Sequence, residues 1–259
     1  MTDTKSLRVA LGEYDIGWHD AAVSLERASN LVAQSAASGA QLVVLPEMST
    51  SGFTMDVNFA EPLAGGSVAR LAAMAEQAKV WLIAGVATRD ADPADGFARN
   101  SALIFTPTGS LTAVYNKQRL FAYANEQRSY RTGDSSVTVN MDGVRVSPFI
   151  CYDLRFPELF RRVASRTDVV IVIASWPAAR REHWDVLLRA RAIENQCYVI
   201  GVNRIGVGDS LTYDGGSAAY DPWGNRLDQA DGGGSAIVDV SAAEVERVRS
   251  AYPFLADYR

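Results

Sequence analysis

Three residues have the types needed for nucleophilic catalysis. Cys151 follows the apolar run VRVSPFI, Glu47 ends LVVLPE, and Lys117 ends LTAVYNK. A free thiol titrates near pH 8.5, so a neighbouring cation raises its thiolate fraction at neutral pH. Lys117 is the candidate cation. A carboxylate beside the thiol takes its proton and returns it to a leaving amine, which makes Glu47 the candidate base and acid. The tetrahedral intermediate needs donors for its oxyanion. The Lys117 ammonium and the Tyr152 backbone N–H are the candidates. Taken singly, each residue also has a plain structural reading. A cysteine after a strand is usually a small buried residue, a glutamate a solvated carboxylate or helix cap, and a lysine a surface charge. Cys197, ahead of Tyr198-Val199-Ile200, reads as core packing.

Strands and helices that alternate along the chain must position these residues. Apolar runs predict strands over 7–12, 41–46, 80–87, 168–174 and 196–203. Asp20 is placed to cap a helix whose apolar face runs through Ala21, Leu25, Ala28, Val32 and Ala36, with Gly39 just past its end. Helices are also predicted over 67–78, 156–164 and 180–195. Ser241 with Glu244 has the spacing of a capping box that opens a C-terminal helix. Hairpins are expected where 100–106 and 111–115 flank Pro-Thr-Gly-Ser, and where 136–140 and 144–149 flank Met141-Asp142-Gly143. A turn at 221–225 joins strands 218–220 and 226–228, and Gly232 to Gly234 reads as another, before a last strand over 235–240. The polar stretch 118–134 has little periodicity and the length of a functional loop. Glu47, Lys117 and Cys151 all fall at the C-terminal ends of predicted strands, the edge where open α/β folds bind ligands. Hairpins within an alternating pattern predict an α/β domain over 1–259, with a core over about 7–240 and a C-terminal helix and tail over 241–259. Two mixed sheets packed face to face, with helices outside, fit this pattern.

Bulk properties exclude several function classes. The 259 residues are 48% hydrophobic and 21% charged, with a net charge of −5. The paired arginines at 161–162 and 180–181 do not form the basic tract that nucleic-acid binding requires. No apolar run approaches the roughly 20 residues that span a bilayer, and the first residues lack a secretory pattern. Two cysteines make no disulfide scaffold, and the expected location is cytoplasmic. His19 and His183 lie far apart in sequence, so no metal-ligand spacing appears.

The local contexts of the three residues carry a resemblance. Leu45-Pro46-Glu47, Tyr115-Asn116-Lys117 with Leu120-Phe121, and Cys151-Tyr152-Asp153-Leu154-Arg155-Phe156-Pro157-Glu158 resemble the three signatures of the nitrilase superfamily, in its order. The segments 189–195 and 220–224 look like that family's long-helix motif and late turn. The resemblance covers 7–240 and implies an α-β-β-α sandwich that pairs into a homodimer. It implies amide or nitrile hydrolysis through a thioester, without metal or organic cofactor, on a small-molecule substrate and water. It also implies a second glutamate near the lysine, a role that Glu126 fits.

Within the superfamily, Cys-Tyr-Asp-Leu-Arg-Phe-Pro and the later Asn203-Arg204 look like the ω-amidase branch, which removes the terminal amide of α-ketoglutaramate or α-ketosuccinamate. Tyr152, Arg155 and Trp176 are the expected substrate-binding residues. Arg155 either engages a substrate carboxylate with its planar fork or pairs with Asp153 or Glu158. Trp176 either walls the pocket or is a core aromatic. Specificity is expected from the loops at 118–134 and 205–216. The competing readings are an amidase for a deaminated peptide or N-carbamoyl compound, a nitrilase, and a non-catalytic scaffold that keeps the fold.

Overall fold

The computed structural model describes residues 5–89, 96–229 and 235–257. The strands are β1 (Ser6–Gly12), β2 (Leu42–Val44), β3 (Trp81–Thr88), β4 (Arg99–Phe105), β5 (Leu111–Asn116), β6 (Val139–Met141), β7 (Val144–Ile150), β8 (Val169–Ala174), β9 (Tyr198–Asn203), β10 (Ile205–Gly208), β11 (Leu211–Asp214), β12 (Ala218–Tyr220), β13 (Arg226–Gln229) and β14 (Ser235–Ser241). The helices are α1 (Ala21–Ala37), α2 (Gly66–Ala78), α3 (Pro157–Arg161), α4 (Arg181–Asn195) and α5 (Ala242–Ala251).

Two six-stranded sheets result, in the orders β14-β1-β2-β3-β4-β5 and β13-β12-β9-β8-β7-β6. Both are mixed, and they repeat one pattern. In the first, β1 pairs antiparallel with β14 and parallel with β2, β2 pairs parallel with β3, and β4 and β5 follow antiparallel. In the second, β7, β8 and β9 are parallel neighbours, with β6 antiparallel on one side and β12 and β13 on the other.

The sheets face each other across one core. Leu7, Val9, Val44, Ile83, Ile104 and Tyr115 of the first pack in a cluster with Val146, Phe149, Ile171 and Val202 of the second. Strands buried on both faces read as unbroken apolar runs, and all six residues of β8, VVIVIA, are buried. The outer face of the first sheet is covered by α1 and α2 through Leu25, Leu31, Val32, Leu71 and Met74. Against the second sheet lies α4, through Trp184, Leu188 and Ala192. Gly201 in β9 permits that approach: a Cβ there would stand 2.4 Å from a Leu188 methyl and 2.6 Å from the Trp184 ring. The layers are therefore α-β-β-α.

Asp20 caps α1 as its position predicts, accepting from Val23 N at 3.0 Å. The C-terminal capping box does not form. The Ser241 side chain makes no cap bond, and Glu244 turns instead to Arg247, whose Nη2 donates at 2.6 Å. The helix predicted over 156–164 is one short α-turn, α3, followed by a tighter turn at Ala164–Arg166. The stretch 205–214, expected as loop, is a two-stranded hairpin of β10 and β11. The turn expected at Gly232 to Gly234 lies outside the described residues. No helix among the described residues is long and apolar enough to cross a membrane.

Candidate active site

Each of the three chemistry-bearing residues leaves the C-terminal end of its strand. Glu47 follows β2 by way of Leu45 and Pro46, Lys117 follows β5 directly, and Cys151 follows β7 directly. The backbone beside Glu47 is packed against Gly85 of β3, where a Cβ would stand 2.5 Å from the Pro46 carbonyl oxygen and 2.6 Å from Glu47 Cα. Cys151 adopts φ +45°, a left-handed conformation rare for a side-chain-bearing residue. It starts a tight turn over Cys151–Arg155 that carries the thiol off the strand axis.

The fold brings Glu47, Lys117, Glu126 and Cys151 together. Lys117 Nζ donates to Glu47 Oε1 at 2.8 Å and to Glu126 Oε2 and Oε1 at 3.0 and 3.1 Å, with all three side chains sealed from solvent. Asn100 Nδ2 braces both carboxylates, at 2.7 Å from Glu47 Oε1 and 2.9 Å from Glu126 Oε1. The other Glu47 oxygen accepts from Ser175 N at 2.8 Å. That bond crosses from the first sheet to the loop after β8 in the second. The second Glu126 oxygen accepts from Phe121 N at 2.6 Å. Cys151 lies within electrostatic reach of Glu47, Lys117 and Glu126.

The surroundings of the thiol favour its neutral form. Burial pushes the Cys151 pKa well up, the Glu47 and Glu126 carboxylates push it further, and Lys117 opposes them without prevailing. The spacing of the sequence suggests a thiolate favoured by a lysine. In the structure Glu47 and Glu126 both pair with that lysine, and its lowering of the thiol pKa is outweighed by burial and by these two side chains. Burial alone would lower the Lys117 pKa, but Glu126 and Glu47 outweigh it and hold the ammonium charged. The arrangement favours a protonated thiol, with a carboxylate and a fixed cation beside it. It is suited to proton transfer concerted with attack, not to a standing thiolate.

A cavity of about 310 Å³ opens over the thiol and is lined by Lys117, Cys151, Tyr152, Arg155 and Trp176, among others. All three residues expected to bind substrate therefore face it. Trp176 is buried, so its two readings are both met. It walls the cavity and packs against Trp184 at 5.5 Å between ring centroids. Its backbone is pinned by Asn203, which accepts from Trp176 N at 2.7 Å and donates to Trp176 O at 2.9 Å.

Arg155 pairs with neither Asp153 nor Glu158. Asp153 spends its oxygens on four other donors, and Glu158 takes Arg119 at 3.2 Å. The Arg155 guanidinium instead lies over the Trp176 ring at 4.8 Å and donates to His183 Nδ1 at 3.2 Å. Arg180, unflagged in the sequence, joins it at the cavity over the Phe121 ring at 5.4 Å. Neither guanidinium has a carboxylate ion pair among the described residues. Arg204 is buried away from the cavity, stacked on Tyr213, which does line it. Cys197 is a fully buried core thiol.

The braces Asn100 and Ser175 escape sequence reading because nothing separates them from ordinary strand-end polar residues. Arg180 and Tyr213 carry a weak signal, lying respectively just after Trp176-Pro177 and within 205–216.

Comparison with known proteins identifies the family. The carbon-nitrogen hydrolase family model matches residues 8–250. The omega-amidase YafV of Escherichia coli strain K12 is 33% identical over 250 residues, covering 95% of this chain and 94% of that protein. The 2-oxoglutaramate amidase of Bacillus subtilis strain 168 is 31% identical over 254 residues, covering 95% of each. Among solved structures, XC1258 from Xanthomonas campestris, a CN-hydrolase superfamily protein with an arsenic adduct in its active site, superposes with a TM-score of 0.90. It has 34% identity and covers 98% of this chain and 97% of that one. The chain belongs to the carbon-nitrogen hydrolase family and is a hydrolase of carbon–nitrogen bonds other than peptide bonds.

Proposed function

We propose that this enzyme is an ω-amidase that cleaves the terminal amide of a small carboxylated monoamide, such as α-ketoglutaramate, through a thioester on Cys151. The observation that carries the chemistry is the Lys117 ammonium held between Glu47 and Glu126, with the Cys151 thiol within electrostatic reach of all three. As Cys151 Sγ attacks the amide carbon, Glu47 takes the thiol proton, and the oxyanion forms beside Lys117. The Tyr152 N–H is the second oxyanion donor. Glu47 then hands its proton to the amide nitrogen as the carbon–nitrogen bond breaks, releasing ammonia. A water, deprotonated by Glu47, attacks the thioester, and the proton returns to the sulfur as the carboxylic acid leaves. Glu126 positions Lys117.

Arg155 supports the carboxylated substrate. It is a guanidinium at the cavity wall without a carboxylate partner among the described residues, held over the Trp176 ring at 4.8 Å. The names of the two amidase relatives point the same way, and the arsenic adduct of XC1258 suits a thiol site, since arsenic bonds thiolates. We also infer a homodimer. Its support is an exposed apolar strip over Val186 and Ile193 of α4, continued by Trp223, Tyr252 and Phe254. A cytoplasmic location is consistent with two unpaired cysteines.

The test is steady-state ammonia release over a panel of α-ketoglutaramate, size-matched neutral amides, nitriles and N-carbamoyl compounds. Cys151→Ala abolishes release with the fold intact. Arg155→Ala raises KM about 10- to 100-fold for α-ketoglutaramate, the worth of one charge-assisted contact, and leaves neutral amides unchanged. Turnover of α-ketoglutaramate no faster than that of neutral amides would overturn the substrate reading.

A further inference from the structure

One buried carboxylate beside the nucleophile takes no part in the chemistry above. Asp153, two residues after Cys151, is sealed from solvent. Its Oδ2 accepts from Tyr115 Oη at 2.8 Å and from Ile150 N at 3.0 Å. Its Oδ1 accepts from Arg119 N at 2.8 Å and from Gln118 N at 3.2 Å. The donors fall into two groups. Ile150 is the last residue of β7 and precedes Cys151. Tyr115 lies in β5 two residues before Lys117, and Gln118 and Arg119 directly follow it. One side chain therefore ties the residue before the nucleophile to both flanks of the lysine, across the seam between the two sheets.

We propose that Asp153 is a positioning residue that fixes the separation and orientation of Cys151 relative to Lys117. Two observations make the tie specific. The left-handed backbone of Cys151 needs an outside constraint, and the bond from Ile150 N closes the turn around it. Four donors converge on two oxygens, which a carboxylate can accept and a carboxamide cannot, since in either orientation its NH2 would face at least one backbone N–H. Burial holds the Asp153 carboxyl up at about 6, against the lowering by these hydrogen bonds and by Lys117, so the site keeps a desolvated charge that packing alone does not require. The inference rests on the reading of Cys151 as nucleophile. It adds that the sheet-to-sheet distance at the site is set by a side chain that never touches substrate.

The experiment compares Asp153→Asn and Tyr115→Phe with the unmodified enzyme by steady-state ammonia release, per folded protein quantified by circular dichroism. Asp153→Asn lowers kcat about 100-fold, the cost of misplacing reacting groups by about an ångström, with KM changed less than about threefold. Tyr115→Phe removes one of the four donors and lowers kcat about 5- to 10-fold, again with KM held. If Asp153→Asn does not fold, Tyr115→Phe decides alone. Unchanged kcat in the folded variants overturns the proposal, as does a loss carried by KM. Cys151→Ala, run alongside, separates the two readings. Residual activity there sinks the nucleophile assignment, whereas an inactive Cys151→Ala beside a fully active Asp153→Asn sinks only the positioning role.

Discussion

Glutamine in place of Glu126 keeps the shape of the side chain and removes one acceptor. In the native site, Oε1 accepts from Asn100 at 2.9 Å and from Lys117 at 3.1 Å, while Oε2 accepts from Lys117 at 3.0 Å and from Phe121 N at 2.6 Å. A glutamine oxygen can serve one side only. Turned toward Asn100, it leaves the Phe121 N–H facing an NH2 group. Turned toward Phe121, it leaves Asn100 with Glu47 as its remaining carboxylate, so this second arrangement is the better one. In both, Lys117 keeps Glu47 and loses half its hold on residue 126. The bare attraction across 3.0 Å is about 5.5 kcal/mol at an effective dielectric of ~20. Much of this is offset because the variant no longer buries a second carboxylate. Displaced buried donors cost about 1–3 kcal/mol each, so a net loss of about 2–4 kcal/mol follows.

If about 2.7 kcal/mol of that falls on the transition state, kcat drops about 100-fold. KM moves little, because Glu126 does not line the cavity. Ammonia release gives kcat and KM, and a thermal melt gives the share lost to stability. A folded Glu126→Gln enzyme with kcat within about threefold of the native value would show that Glu47 alone anchors the lysine.

Two further outcomes follow from the same geometry. The Cys151 thiol is an acid whose pKa is pushed well up by burial and Glu47, so it stays protonated at every pH below that raised value. The difference in ultraviolet thiolate absorbance between the native protein and Cys151→Ser should show no step between about pH 5 and pH 8, where an activated low-pKa thiol would titrate. Gly85→Ala places a methyl against the Pro46 carbonyl and the Glu47 backbone, neither of which is a flexible end that can swing away. It should lower stability by about 1–3 kcal/mol and displace Glu47, cutting kcat at least about tenfold. A variant with native melting and native kcat would show that the Glu47 turn is not held by this packing.

Central strands are legible because burial on both faces leaves apolar runs such as LVV in β2 and VVIVIA in β8, whereas the edge strand β5, which leads to Lys117, is mostly half-buried and is legible through the Pro-Thr-Gly-Ser turn before it. Strand order is not legible. Periodicity says that a segment is extended and buried but not which neighbour it takes, so the repeated pairing pattern of the two sheets has no trace in the residues. The β10–β11 hairpin escapes because glycines at 206 and 208 and left-handed Asp209 and Ser210 give it a loop's composition. The Ser241–Glu244 spacing suits a cap, but Arg247 one turn further on offers Glu244 a guanidinium. At the site, the residue types are visible and their charge balance is not. A lysine near a cysteine suggests a stabilised thiolate, and although the resemblance implies Glu126 beside the lysine, only the structure shows both carboxylates bonded to the same ammonium. Arg155 illustrates the same limit, since its partners are settled only when Glu158 is found with Arg119.

The first sheet closes in an order that matters during synthesis. β1 is made early, yet its antiparallel neighbour β14 is made more than two hundred residues later. Until then one edge of that sheet stands open, a strand-sized invitation to the wrong neighbour. Glu47 and Lys117 belong to this sheet and Cys151 to the other. A nascent chain therefore carries a thiol without its base, and the two meet only when the sheets dock. Hydrolysis is in this sense a timer. During refolding, ammonia release should lag the return of β-structure and report the docking step.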